Sequence, residues 1–252
     1  MGPKFACGAV RCLFVTALYV FLIRHGETAL NAAGVLRGQL DVPLDDTGEA
    51  AASALGELFS GVRLGAIASS PLRRAVDTAR PVAQSTGAPL EIEDRLRDRF
   101  YGEWSGHRFE EVKRRFGSID AAPGVEAPQL VAARAEAAFL DLVAARDTAV
   151  AQAGRPPEQD AAVALVTHDA VIQALLPRLL KAVNLATAEF PTGSWSRLVS
   201  SPTGTWRALN LGEVPGNGRR PELGARSRAE TSMPVESAIA TRTDECSGPG
   251  LG

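Results

Sequence analysis

Two uncharged, β-forming runs constrain this chain most. Residues 16–23 (TALYVFLI) and 161–166 (AAVALV) are continuous apolar segments of strand length, and a histidine follows each within two residues: His25 and His168. A strand that is apolar on both sides has to be covered on both faces, as the strands of parallel sheets are. Shorter strands are predicted at 65–69 and 89–92, and a hairpin at 196–199 and 205–209 around Ser201-Pro202-Thr203-Gly204. Helical stretches lie between them. Asp46 and Glu49 have capping-box spacing ahead of a helix over 46–59, whose Ala51, Leu55, Leu58 and Val62 fall on one side. Pro71 suits a first helical position, and Pro81 is expected to break or kink the helix that follows. Residues 130–151 and 170–183 read as two further helices, with loop-like segments at 117–128 and 154–160.

Strands alternating with helices predict an α/β fold, a mainly parallel sheet between helix layers. A chain of 252 residues is one large domain, or one domain with an appendage. The appendage is expected at 215–252, which holds six glycines and four prolines without a hydrophobic period and reads as a disordered tail. The folded domain is thus placed at 1–214.

Composition excludes several classes of function. With 29 acidic and 27 basic residues the net charge is -2, a poor field for binding nucleic acid. Cys7, Cys12 and Cys246 make neither a disulfide framework nor a zinc-ligand pattern, which favours a reducing, cytoplasmic setting. No apolar stretch reaches bilayer length, because Arg11 interrupts the longest. Lys4 and Val15-Thr16-Ala17 have the flavour of a secretory signal, but that run leads straight into the first core strand. No membrane partner is expected, and oligomeric state is not legible.

In an open α/β sheet ligands bind beyond the carboxyl ends of the strands, which is where His25 and His168 fall. Arg24 precedes His25, and Gly26-Glu27-Thr28 and then Asn31 follow it. An arginine fork suits phosphate oxygens, and Gly26 permits close approach of the backbone to a ligand. Ser69-Ser70-Pro71-Leu72-Arg73-Arg74 puts two arginines at a helix start, a place that favours anions. Residues 96–104 (LRDRFYGEW) place carboxylates in a loop after the third strand.

These blocks, LIRHGET with Asn31, GQLDVPLDDTGEAAA, SSPLRRAVDTA, LRDRFYGEW and VTHDAVIQALL, resemble in order those of the histidine phosphatase superfamily, also called phosphoglycerate mutase-like, over about residues 18–211. The resemblance implies a three-layer α/β/α sandwich. It implies that His25 is the nucleophile, that Arg24 and Arg74 hold phosphoryl oxygens with Asn31 beside them, and that His168 is the second pocket histidine. Asp98 stands where the family usually has a glutamate proton donor. Asp169, directly after His168, is the competing acid, as in the acid phosphatase branch, or else a helix cap. Neither a metal nor another cofactor is required by this chemistry.

The implied function is a phosphomonoester phosphatase acting on a small phosphorylated metabolite. A cofactor-dependent phosphoglycerate mutase is the second reading, disfavoured because the stretch from Asp98 to His168 is short and alanine-rich. A non-catalytic phosphate-binding module is the third. Arg73 is expected at the surface, His107 in a structural or solvated place, the Lys113-Arg114-Arg115 run on a solvated helix face or else against a second anionic group of the substrate, and Arg134 as a structural ion-pair partner.

Overall fold

The computed structural model describes residues 17–153, 162–180, 185, 187–201 and 203–223. Its strands are β1 (Tyr19–Arg24), β2 (Ala66–Ser69), β3 (Leu90–Ile92), β4 (Ala162–Thr167), β5 (Trp195–Ser200) and β6 (Trp206–Glu213). They form one sheet in the order β3-β2-β4-β1-β5-β6. The first four strands in that order run parallel, and β5 and β6 close one side antiparallel. The two apolar runs are therefore central neighbours, paired from Tyr19↔Ala162 to Arg24↔Thr167.

The helices are α1 (Ala29–Ala32), α2 (Asp46–Phe59), α3 (Arg73–Thr86), α4 (Phe109–Phe116), α5 (Pro128–Ala153) and α6 (Asp169–Leu179). Alternation along β1 divides the core. Val20 and Leu22 pack with Val131, Ala135 and Phe139 of α5 and Ile172 and Leu175 of α6. Phe21 and Ile23 pack with Leu55 and Phe59 of α2 and Ala75, Ala79 and Val82 of α3. The result is the expected three-layer sandwich, with each central strand buried on both faces. A third, smaller cluster (Leu36, Trp104, Val112, Ile119, Ala122) stands beyond the sheet and carries the loop of residues 97–108.

Local expectations need three corrections. The cap of α2 is Asp45, not Asp46: its carbonyl takes the amide of Glu49 at 2.8 Å and its Oδ1 takes that of Gly48 at 2.9 Å. Helix α3 begins at Arg73, two residues after Pro71, and the Ser70 hydroxyl receives the amide of Leu72. Pro81 does not end α3, because its ring lies against Gly56 of α2, so close that a β-carbon on Gly56 would sit 2.9 Å from Pro81 Cβ.

The folded domain also reaches past residue 214. Leu223 packs against the α2/α3 face of the core, Pro221 is buried, and Arg219 pairs with Glu213 at 2.8 Å. The remainder of the expected tail, 224–252, lies outside the described residues, as do residues 1–16. No described helix is long and apolar enough to cross a membrane.

Candidate active site

The register of the sheet assembles the site. His25 follows β1, His168 follows β4 and Ser70 follows β2, three adjacent strands. The amide of His25 donates to Thr167 O at 3.0 Å and that of Ser70 to Val166 O at 3.0 Å, so the three residues stand side by side at one edge. The imidazoles of His25 and His168 are fully buried, with ring centroids 5.0 Å apart.

His25 has a defined proton arrangement. Its Nδ1 lies 2.6 Å from the carbonyl of Gly26, which only accepts, so Nδ1 carries the hydrogen. Nε2 is left buried and unpartnered, with its lone pair free. Burial, then Arg74, Arg24 and Arg37, hold the pKa of His25 well below the usual imidazole value, so the ring is neutral. A neutral, desolvated nitrogen is a competent nucleophile toward phosphorus.

Gly26 serves this arrangement differently from the expectation. A β-carbon there would meet the backbone of Gly48 at 2.5 Å, and one on Gly48 would meet Glu27 O at 2.1 Å. The two glycines let the loop after β1 lie directly on the first turn of α2.

Arginines surround the histidines. Arg74 is fully buried: Nη1 donates to Leu40 O and Nη2 to Gly38 O, both at 2.8 Å, and Nη2 meets Asp98 Oδ2 at 3.1 Å. Arg24 donates through Nη1 to Phe190 O and stands 3.8 Å from Asp169 Oδ1. Burial lowers the pKa of both guanidiniums from the ordinary value, yet arginine remains a cation in such surroundings. Segment 190–194 therefore buttresses Arg24 and His25, whose carbonyl also receives Gly193 N at 2.9 Å.

The two candidate acids are in different settings. Asp98 is buried (3% exposed), and burial raises its pKa although Arg74 opposes the rise. Its Oδ2 is 3.9 Å from Nδ1 of His168. Asp169 is a third exposed, opens α6 and accepts from Gln173. Asn31 is held by Thr28, whose hydroxyl donates to Oδ1 at 2.7 Å, and no described hydrogen bond joins it to the other site residues. Arg73 is exposed and pairs with Asp77, His107 is exposed against Trp104, and Arg134 pairs with Glu126 at 2.9 Å.

Sequence reasoning missed two residues. Arg37 is half-buried, makes one long bond (3.3 Å to Val35 O), and has a buried Nε without a partner. Its charge bears on His25, His168, Asp98, Arg24 and Arg74, which makes it a third cation of the pocket. The signal was an arginine directly ahead of the GQLD block. Ser70 was read only as part of a helix start, yet its Oγ lies 2.8 Å from His168 Nε2.

A cleft of about 420 Å3 adjoins this cluster through Asp169 and is lined by Arg99, Tyr101, Phe109, Asp120 and Gln173, among others. Ile119, Pro128 and Val131 give the same cleft an apolar wall.

The family model of the histidine phosphatase superfamily (branch 1) matches residues 20–213. A glucosyl-3-phosphoglycerate phosphatase of Mycobacterium tuberculosis is 31% identical over 205 residues, 78% of this chain and 86% of that protein. Phosphoserine phosphatase 1 of Hydrogenobacter thermophilus is 35% identical over 112 residues, 44% of this chain and 53% of that protein. The solved structure of a mycobacterial glucosyl-3-phosphoglycerate phosphatase in complex with inorganic phosphate superposes with a TM-score of 0.67 at 29% identity, covering 79% of this chain and 98% of that one. A phosphoglycerate mutase from Bacillus anthracis shares the fold, with a TM-score of 0.65 at 21% identity over 79% of this chain and 94% of that one.

Proposed function

This chain belongs to branch 1 of the histidine phosphatase superfamily and is a phosphomonoester phosphatase, and we propose that it works through His25 and Asp98 on a phosphoglycerate ester that carries a sugar. The observation that carries the catalytic part is the free, buried Nε2 of His25 inside a ring of three arginines. In the first step Nε2 forms a bond to phosphorus while the ester P–O bond breaks. Asp98, whose burial favours the protonated carboxyl, gives its proton to the departing oxygen. In the second step water attacks the phosphohistidine and yields its proton to the Asp98 carboxylate, which releases phosphate and restores both groups. Arg24 and Arg74 are fixed cations facing the charge that spreads over the phosphoryl oxygens, and Arg37, more loosely held, adds a third positive charge nearby. Asp169 is a third exposed and starts α6, whereas Asp98 is buried, and this difference in burial supports Asp98 as the acid.

The substrate class rests on the relatives named for glucosyl-3-phosphoglycerate, for which the cleft of mixed polar and apolar lining beside Asp169 offers room. The mutase reading is weaker: between Asp98 and β4 the chain spends its length on helices α4 and α5 and short turns. We place the enzyme in the cytoplasm on its sparse cysteines.

The test is turnover across phosphate esters, with glucosyl-3-phosphoglycerate, phosphoserine and the phosphoglycerates in the panel. Phosphate release from the glucosyl ester at the highest kcat/KM is expected, with rapid-quench label on His25. Isomerisation of phosphoglycerate without release would establish the mutase, and tight phosphate binding without turnover a binding module.

A further inference from the structure

Ser70 has a hydroxyl whose proton has one place to go. The side chain is fully buried. Its Oγ receives the amide of Leu72 at 3.3 Å, and its other side-chain partner is His168 Nε2 at 2.8 Å. An amide only donates, so among the described partners the ring nitrogen alone can accept the hydroxyl hydrogen. A ring nitrogen that accepts is bare, and a neutral imidazole bare at Nε2 carries its hydrogen at Nδ1.

Nδ1 of His168 is buried without a partner and turned toward the side where Asp98 stands, 3.9 Å away and beyond hydrogen-bond reach. Phosphoryl oxygens only accept, so a hydrogen at Nδ1 is what this position needs. The opposite tautomer carries two penalties. It leaves the Ser70 hydroxyl hydrogen buried without an acceptor, and it points a lone pair at anionic oxygens. Protonation, which would put hydrogens on both nitrogens, is opposed by burial and by Arg74.

We propose that Ser70 is a positioning residue that fixes His168 as the Nδ1–H tautomer, so that this imidazole meets the phosphoryl group as a donor. Both pocket histidines are then the same tautomer put to opposite uses. His25 spends its Nδ1–H on Gly26 O and shows the site a lone pair, whereas His168 has its Nε2 engaged by Ser70 and shows the site a hydrogen. Three adjacent strand ends deliver these roles, since Ser70, His168 and His25 follow β2, β4 and β1. The consequence for catalysis rests on the phosphatase reading above; the tautomer itself does not.

The chain has three histidines, His25, His107 and His168, which makes the test direct. Long-range 1H–15N spectra of the 15N-labelled full-length protein at pH 7.5 are expected to show two rings in the Nδ1–H pattern, with His107 identified from a His107→Gln sample. Ser70→Ala should move one of these rings toward an Nε2–H mixture, while Ser70→Thr retains the wild-type pattern. With p-nitrophenyl phosphate, Ser70→Ala should lose kcat by at least about 10-fold and at most the roughly 10²- to 10³-fold that follows complete loss of one donor to a transition-state oxygen, with little change in KM, and Ser70→Thr should recover most of it. A wild-type His168 in the Nε2–H form overturns the proposal. So does a Ser70→Ala protein whose His168 pattern is unchanged, whatever its activity, because Ser70 would then act only through packing. Absence of turnover in the wild type would refute the phosphatase reading and leave the spectra to decide this one.

Discussion

Acidification should unfold this protein through its two pocket histidines. Both are fully buried, and burial first, then Arg74, holds each pKa well below the ordinary imidazole value. In the unfolded chain each titrates near about 6.5. Below that pH the unfolded state takes up protons that the folded state refuses, so stability falls as pH falls, until the depressed folded pKa values are reached. Between pH 7.5 and 5.5 each histidine then costs at most about 1.4 kcal/mol, and the pair at most about 2.7 kcal/mol, against the roughly 5–15 kcal/mol that holds a domain folded. Asp98 acts in the opposite sense. Its pKa is raised, so the folded state holds that proton more tightly, and stability rises as pH falls through the folded value. Urea unfolding in phosphate-free buffer at the two pH values, followed by the fluorescence of Trp104, Trp195 and Trp206, measures the difference. His25→Gln and His168→Gln should each recover about half of the acid loss, and Asp98→Asn should enlarge it. Equal acid loss in the histidine variants and the wild type would refute the reasoning, as would a flat profile in both wild type and Asp98→Asn.

Three further outcomes follow from the geometry. Asp98→Asn should lower kcat by about 10²- to 10⁴-fold for an alkyl phosphate, but far less for phosphorylation by p-nitrophenyl phosphate, whose leaving group needs no proton; Asp169→Asn should show no such dependence on the leaving group. Arg37→Gln should weaken inhibition by inorganic phosphate by about one to two orders of magnitude, as loss of a hydrogen bond to a charged group does, and should raise the pKa of both pocket histidines, seen as an upward shift of the acid limb of kcat/KM. Gly48→Ala puts a methyl 2.1 Å from Glu27 O, so it should cost at least the roughly 1–3 kcal/mol of an overpacked site and impair turnover by moving the loop that carries His25, as urea melts and initial rates would show.

The frame of this molecule was legible because burial writes itself into the chain. β1 and β4 are buried on both faces and read as unbroken apolar runs, and the hairpin shows its turn. On α2 the buried face is Gly48, Ala52, Leu55, Gly56 and Phe59, so of the expected stripe Leu55 alone is buried, because small residues let the helix turn its Gly48–Gly56 side inward. The histidines after the two runs were found by the same logic. What could not be read was set by contacts distant in sequence. Nothing local announces that Gly48 has to admit Glu27, or that Pro81 is accommodated because Gly56 faces it. Arg37 has ordinary neighbours in sequence and becomes a pocket cation only because residues 38 and 40 give their carbonyls to Arg74. Ser70 looks like any serine before a proline until β2 and β4 pair in register.

Asp98, the proposed acid, shows what such distant contacts add to side-chain length. Aspartate is one methylene shorter than glutamate, so Asp98 reaches the pocket only if its backbone is brought closer. Arg134 holds that backbone in place, donating to the carbonyls of Arg95 and Arg97 and, at 3.2 Å, to that of Asp98. Its own position is set by Glu126, which pairs with its Nε at 2.9 Å and also accepts Phe100 N at 3.1 Å. Gln39 donates to Asp98 O from the opposite side. The loop is thus held by its main chain, and the short side chain arrives 3.1 Å from Arg74 and 3.9 Å from His168. Arg134, Glu126 and Gln39 thus fix the main chain from which the short Asp98 side chain extends.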